Sequence, residues 1–502
     1  MLFNSVQFLV FFPIVTLIYF VIPHRVRYIW LLIASYYFYM CWNAKYALLL
    51  AASTVITYLS GILIGEAHKA EEAEKHGKMN TVGKCKTYVA ISFVLNIGIL
   101  VFYKYTNFLI DNLNAVSRLF HFEWNAPEFD IVLPVGISFF IFQALSYTMD
   151  VYRGNVRVEK NLLKYAVFVS FFPQLVAGPI ERSSHLLYQF DEKHKFDFEN
   201  MRRGLMMMGW GFFQKMVIAD RVAVIVTQIF DYYTYYKGFE VAVGAVFFAI
   251  QIYCDFAGYS NIAIGAAQVM GFDLMKNFRE PYLARSIADF WRRWHISLTS
   301  WFRDYLYFPL GGNRKGKWRK YLNVMIVFLV SGLWHGAMWT FVIWGGLNGL
   351  FQVIGSELKP LREKFFRLFH VKTESFSHKL SQVILTFLLV DVTWIFFRAD
   401  TISNAFAMFH QMFSSFNPWI FFDGTLFTLG LSVIDFWITI AAIAVLAAVD
   451  VMHHKGIPIR EKICKQGVLF RWALYYGVIF AILLFGIYGP GFDAAQFIYF
   501  QF

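Results

Sequence analysis

Apolar runs of bilayer-spanning length recur along this chain from end to end, and they leave few folds open to it. A helix needs about 20 mostly apolar residues to cross the hydrocarbon layer, and this sequence supplies that pattern many times. The composition agrees: 58% of residues are hydrophobic, 20% aromatic and only 16% charged. These features exclude a soluble globular protein and imply a polytopic helical membrane protein. The formal net charge of +12 follows from basic cytoplasmic loops and requires no nucleic-acid partner. Cys41, Cys85, Cys254 and Cys464 are scattered without ligand spacing, so neither a disulfide framework nor a metal ligand set is visible.

Apolar length and the positions of lysine and arginine order the spans. Crossings are expected at 5–22 (an uncleaved first span), 28–44, 46–65 and 88–104, with a charged cytoplasmic loop at 66–87 and an external loop at 106–130. A crossing at 131–149 follows. The run 165–180 is interrupted by Pro173, Gly178 and Pro179 and reads as a re-entrant segment buried against protein. The span 204–229 carries Lys215, Asp220 and Arg221, which need protein or water partners. Further spans are expected at 241–270, 380–397, 434–451 and 470–489, with the last residues outside. The whole is one all-α integral-membrane domain, 1–502, of about 11 transmembrane helices plus re-entrant helices.

Two histidines stand out between Asp289 and Gly349. From Tyr321 to Ser356 no residue carries a formal charge, yet His335 lies in the middle. Basic residues flank both ends of that stretch, which therefore reads as a hairpin entered from the cytoplasmic side. Its first arm reaches His335 after about 14 residues, roughly 21 Å of helix, deep in a layer of about 30 Å. Ser331, Gly332 and Gly336 would let neighbouring helices approach closely. Residues 289–305 read as an amphipathic helix, with Phe290, Trp291, Trp294, Leu298, Trp301, Phe302 and Tyr305 on one face. Arg292, Thr299 and Arg303 lie opposite, and His295 falls at the edge of the polar sector.

An intramembrane histidine has three readings from the residues alone: a proton site in a transporter, a structural hydrogen-bonding group, or a general base toward a hydroxyl. The intramembrane carboxylates Asp150, Asp220, Asp255 and Asp391 fall mostly near span ends, and no internal repeat supports the transporter. Trp334 and Trp339 read as packing or wall residues. Gln143 and Asn313 suit polarisation of a reacting group and a buried structural hydrogen bond equally well.

Four segments carry a resemblance. PVGISFFIFQALSYTMDVYRG (134–154), SFFPQLVAGPIER (170–182), DFWRRWHISLTSWFRDYLYFPLGGNR (289–314) and SGLWHGAMWTFVIWGGLNG (331–349) resemble the membrane-bound O-acyltransferase (MBOAT) family. The likeness is to its bacterial branch of alginate O-acetylation proteins and their peptidoglycan-acetylating relatives, and the ending FIYFQF is similar to that branch as well. The resemblance implies acetyl transfer from a cytoplasmic donor, acetyl-CoA, toward a polysaccharide hydroxyl outside a bacterial cytoplasmic membrane, with no permanently bound cofactor. It implies that His335 is the catalytic base and His295 the second active-site position. Arg292, Arg293 and Arg303 would hold the donor phosphates, or else anchor the chain at the interface. It further implies a membrane-anchored extracytoplasmic partner of the serine-hydrolase-like acetyltransferase type. D-alanyl transfer to teichoic acid is the alternative within the family.

The charge pattern places the loops 66–87, 313–320, 359–379 and 452–469 in the cytoplasm. A single cysteine at Gly316, in a chain lacking its four native cysteines, is expected to resist an impermeant thiol reagent in intact cells and to react once the membrane is opened. Labelling from outside would refute the hairpin around His335.

Overall fold

The computed structural model describes residues 1–73, 81–122, 124–488 and 498. The part of the 66–87 loop between 74 and 80, and the tail beyond 488 apart from Ile498, lie outside the described residues. The fold is α-helical, with no strand among the described residues. It packs as two compact units, residues 1–205 with 263–275, and residues 206–262 with 276–502.

The first unit begins with α1 (Val6–Val21), α2 (His24–Met40) and α3 (Ala47–Ala73). α4 (Thr81–Leu100) continues through a π-helical turn, Val101–Tyr105, into α5 (Thr106–Leu119). Part of the expected external loop at 106–130 is therefore helix. Ile110, Asn114 and Ser117 recur at helical spacing and are buried, and the Asn114 side chain both accepts from and donates to the backbone of Ala126. α6 (Ile137–Tyr152) is buried at 14 of its 16 residues and packs against α3 and α4. α7 (Leu162–Ser170) is short, and the irregular run 171–180 that follows is buried throughout. Buried irregular backbone of this kind needs partners from the protein. Gln143 and Gln174 both donate to the Phe168 carbonyl at 2.5 and 3.0 Å, which gives Gln143 a structural role. Beyond it, at α8 (Ser183–Leu186), the fully buried Glu181 accepts from His185 and from the Met275 backbone N–H.

α9 (Phe198–Phe212) leads through the π-helical segment Phe213–Ala219 to α10 (Asp220–Asp231). The charges expected to need partners have them. Lys215 bridges Asp220 and Asp255 at 2.7 and 2.6 Å, while Arg221 pairs with Asp435 and donates to the Phe485 carbonyl. Asp255 belongs to α11 (Phe239–Val269) and also accepts from the Ile498 backbone N–H. Then come α12 (Ile287–Trp291), α13 (Ile296–Phe302), α14 (Lys317–His335), α15 (Trp339–Leu368) and α16 (Phe376–Arg398). The second unit closes with α17 (Ile402–Ser414), α18 (Val433–His454), α19 (Ile459–Cys464) and α20 (Val468–Phe485). Because α15 runs to Leu368, the first half of the expected loop at 359–379 is helix as well. Among the described residues six helices are long and apolar enough to cross a membrane: 44–70, 83–119, 239–269, 376–398, 433–454 and 468–485. The expectation of about 11 crossings draws also on shorter helices such as α1.

The expected hairpin is α14 and α15, joined through residues 336–338. Its arms meet at glycines. A Cβ on Gly332 would stand 2.3 Å from the Phe341 carbonyl oxygen, and one on Gly345 the same distance from that of Phe328. Only the missing side chains let the two backbones touch, which sets His335 at the end of α14 directly beside α15. Gly345→Val should therefore cost about 1–3 kcal/mol of overpacking and loosen the hairpin. A lowered thermal unfolding midpoint in detergent is expected, and an unchanged midpoint would refute the close crossing.

Candidate active site

His335 is the last residue of α14 and is buried. Its ring meets Trp344 of α15 at 5.0 Å, Trp334 at 4.9 Å and Phe397 of α16 at 5.6 Å between centroids. Trp344 stacks on Trp394, which reaches Trp294, and Trp294 stacks on Phe290. Such aromatic pairs add about 0.5–1.5 kcal/mol each beyond their burial and make a stiff wall. Trp334 forms part of that wall, whereas Trp339 is exposed. Asn313 is exposed too, so it polarises nothing buried.

The sequence reading of 289–305 as one helix is only half right. Its apolar residues Phe290, Trp291, Trp294, Leu298, Trp301 and Phe302 are buried as expected, and Arg292 and Arg303 face out. But the helix breaks between α12 and α13. The Ile296 N–H, which a continuous helix would send to residue 292, donates instead to the Asn277 carbonyl at 2.9 Å. Two residues on from Asn277, the Arg279 N–H donates to the Arg293 carbonyl. The irregular chain at 277–279 thus captures the backbone at 293–296. His295 takes the turn with φ of +43°, an uncommon left-handed conformation for a residue with a side chain.

That break overturns the expected position of His295 at a polar edge. It is 1% exposed, as deeply buried as His335 at 5%, and the two rings are 6.4 Å apart. The two histidines, on different elements, thus converge. Phe256 of α11 covers the His295 ring edge-on at 4.6 Å, and Trp334 lies 6.0 Å away. His295 Nδ1 lies 3.0 Å from Asn277 Oδ1, which also accepts from Ser297 Oγ at 2.9 Å, while Asn277 Nδ2 donates to Ser260 Oγ at 3.1 Å. Sequence reasoning missed Asn277, Ser260 and Ser297. No motif spacing ties residues 260, 277 and 297 together, and only the captured backbone brings them to one place.

Each of the three arginines pairs with an acidic side chain. Arg292 and Arg293 pair with Asp289, Arg293 also touches His454, and Arg303 pairs with its neighbour Asp304. Burial pushes Asp289 up, but the Arg293 guanidinium beside it wins and holds the carboxyl below its ordinary value.

Two imidazoles this close, inside an apolar aromatic wall, suit proton transfer at a hydroxyl. A hydroxyl oxygen within the hydrogen-bond reach of about 2.6–3.2 Å of both rings fits a centroid separation of 6.4 Å. Residues 155–399, which hold both histidines, match the sequence model of the membrane-bound O-acyltransferase family. The chain is 38% identical over 425 residues to the probable alginate O-acetylase AlgI of Pseudomonas putida, covering 84% of this chain and 81% of that one. This chain belongs to the membrane-bound O-acyltransferase family. Two further members are less similar to it. The peptidoglycan O-acetyltransferase of Helicobacter pylori is 34% identical over 444 residues, covering 82% of this chain and 80% of the relative. The teichoic acid D-alanyltransferase of Bacillus subtilis is 27% identical over 238 residues, covering 45% and 60%. As an MBOAT protein this chain is a multi-pass membrane O-acyltransferase.

His295 lies outside the six long spans, and burial lowers its pKa from 6.5 to about 3. The unfolded chain then binds a proton that the folded one refuses between those values, so this group makes stability rise with pH through that window. On acidification from pH 7 to pH 4 the wild type is expected to lose more thermal stability than His295→Asn. Parallel pH curves for the two would refute a neutral, buried His295.

Proposed function

We propose that this chain transfers an acetyl group from a cytoplasmic thioester, acetyl-CoA, toward the hydroxyl of an exported polysaccharide in the bacterial cytoplasmic membrane. The observation that carries the reading is the pair of buried histidines, 6.4 Å apart, in a chain similar over most of its length to polysaccharide-modifying O-acetylases. The likeness to a D-alanyltransferase covers 45% of the chain against 84% for the alginate O-acetylase, and this favours acetyl.

In this mechanism His335 takes the proton of the acceptor hydroxyl as its oxygen attacks the thioester carbonyl. The new C–O bond forms, the C–S bond breaks, and the proton passes from His335 to the departing thiolate. The imidazole suits the task because its ordinary pKa is near neutrality. His295 positions the reacting groups beside it. The donor phosphates would meet Arg292, Arg293 and Arg303, whose guanidiniums suit bidentate phosphate binding and would have to exchange Asp289 or Asp304 for it. An extracytoplasmic serine-hydrolase-like acetyltransferase, anchored to the same membrane, receives the group and completes delivery to the polymer.

Single substitutions separate the two histidines. His335→Ala is expected to abolish polymer acetylation while the protein remains inserted, since loss of a general base costs about 10² to 10⁴ in rate. His295→Asn should retain measurable activity through its amide, and His295→Ala should fall well below it. Acetyl ester on the polymer, measured at matched expression, decides the matter. An active His335→Ala alongside a dead His295→Asn would reverse the assignment.

A further inference from the structure

The side chain against His295 is an amide, and its orientation is determined by its neighbours. The atom assigned as Asn277 Oδ1 faces the Ser297 backbone N–H at 3.4 Å, and a backbone N–H only donates. The other end of the amide reaches Ser260 Oγ. Oxygen therefore faces the imidazole, and His295 Nδ1, 3.0 Å away, must be the protonated nitrogen. In the neutral ring the lone pair then sits on Nε2, which is shielded from solvent. Asn277, Ser260 and Ser297 are each 1% exposed or less, so bulk water does not compete for these bonds.

We propose that Asn277 is a positioning residue that holds His295 in the Nδ1–H tautomer, so that Nε2 accepts a hydrogen bond from the acceptor substrate beside the hydroxyl that His335 deprotonates. The proposal rests on the acyl-transfer reading above and sharpens it. With its lone pair at Nε2, His295 accepts at that nitrogen and offers no N–H there to an oxyanion, so its contribution is to orient the acceptor. An amide rather than a carboxylate partner matters for the same reason: a carboxylate would favour the imidazolium, which has no lone pair to offer. Burial, which disfavours the charged ring, works in the same direction. Among the described residues the rings against it are Phe256, Trp334 and His335, of which His335 is titratable. Asn277 acts twice, since its backbone carbonyl holds the Ile296 N–H and its side chain holds the histidine one residue earlier. A side-chain substitution leaves the first contact in place and tests the second.

The test uses the full-length protein, ¹⁵N-labelled at histidine, in membranes, with His295→Asn identifying the His295 signals. Solid-state ¹⁵N NMR is expected to find His295 neutral, protonated at Nδ1 and bare at Nε2. Asn277→Leu should lose that single tautomer, and its kcat should fall roughly tenfold or more, as a misplaced tautomer does in other enzymes, with donor KM little changed. Asn277→Asp keeps the acceptor but favours the imidazolium, so the acid limb of its pH–rate profile should move to higher pH while activity is retained above it. A wild-type His295 protonated at Nε2, or an Asn277→Asp profile that overlays the wild type, would overturn the proposal even if Asn277→Leu fails to fold. A wild type that transfers no acetyl group would instead overturn the functional reading, because the tautomer is read without substrate.

Discussion

A backbone N–H shut away from water must find an acceptor, and the geometry of this site follows from where one such group finds it. Were the Ile296 N–H bonded within its own helix, residues 289–305 would run on as a single amphipathic rod. Because the Asn277 carbonyl takes it, the rod breaks, and His295 is carried into a left-handed turn and into the core. A left-handed residue with a side chain costs of order 1–3 kcal/mol and persists only where its surroundings demand it. Here the surroundings include Asn277, Ser297, Phe256 and Trp334. The histidine and its strained backbone are held by the same neighbour.

The other half of the site depends on missing atoms. Gly332 and Gly345 let α14 and α15 touch, and that contact sets His335 against Trp344 and, through α16, against Phe397. A group of buried charges in the second unit is paired. Lys215 holds Asp220 and Asp255, and Asp255 precedes Phe256, the ring that caps His295. The ion pair thus helps fix the register of α11 against the π-helical segment at 213–219. Removing one partner of such a buried pair leaves an uncompensated charge, which is far costlier than never having had the pair. In the first unit Glu181 and the two glutamines on the Phe168 carbonyl do comparable work, and residues 170–182 contribute there through packing.

Much of this was legible in the sequence. Hydrophobic runs dictate helices, because hydrocarbon offers no partner to an open backbone, and most of the long spans lie within a few residues of where apolar length put them, while the helix 83–119 runs well past the expected 88–104. An ionisable residue in an uncharged stretch marked His335, and glycines beside it marked a close helix contact. The charges within 204–229 announced that they needed partners. Family resemblance, carried by four segments, reached the chemistry that periodicity could not.

What the sequence could not decide was pairing across distance. A helical wheel assumes that every N–H bonds four residues back, so it placed His295 at a polar edge. The competing acceptor at Asn277 is 19 residues from Ile296, and no periodic pattern records it. The same holds for α5, which lies within the expected external loop at 106–130 and whose Asn114 amide is satisfied by the backbone of Ala126. Local composition determined which segments are helical and which residues are candidates for the chemistry. Only the tertiary structure decided which backbone groups found non-local partners, and so which helix broke and which two imidazoles met.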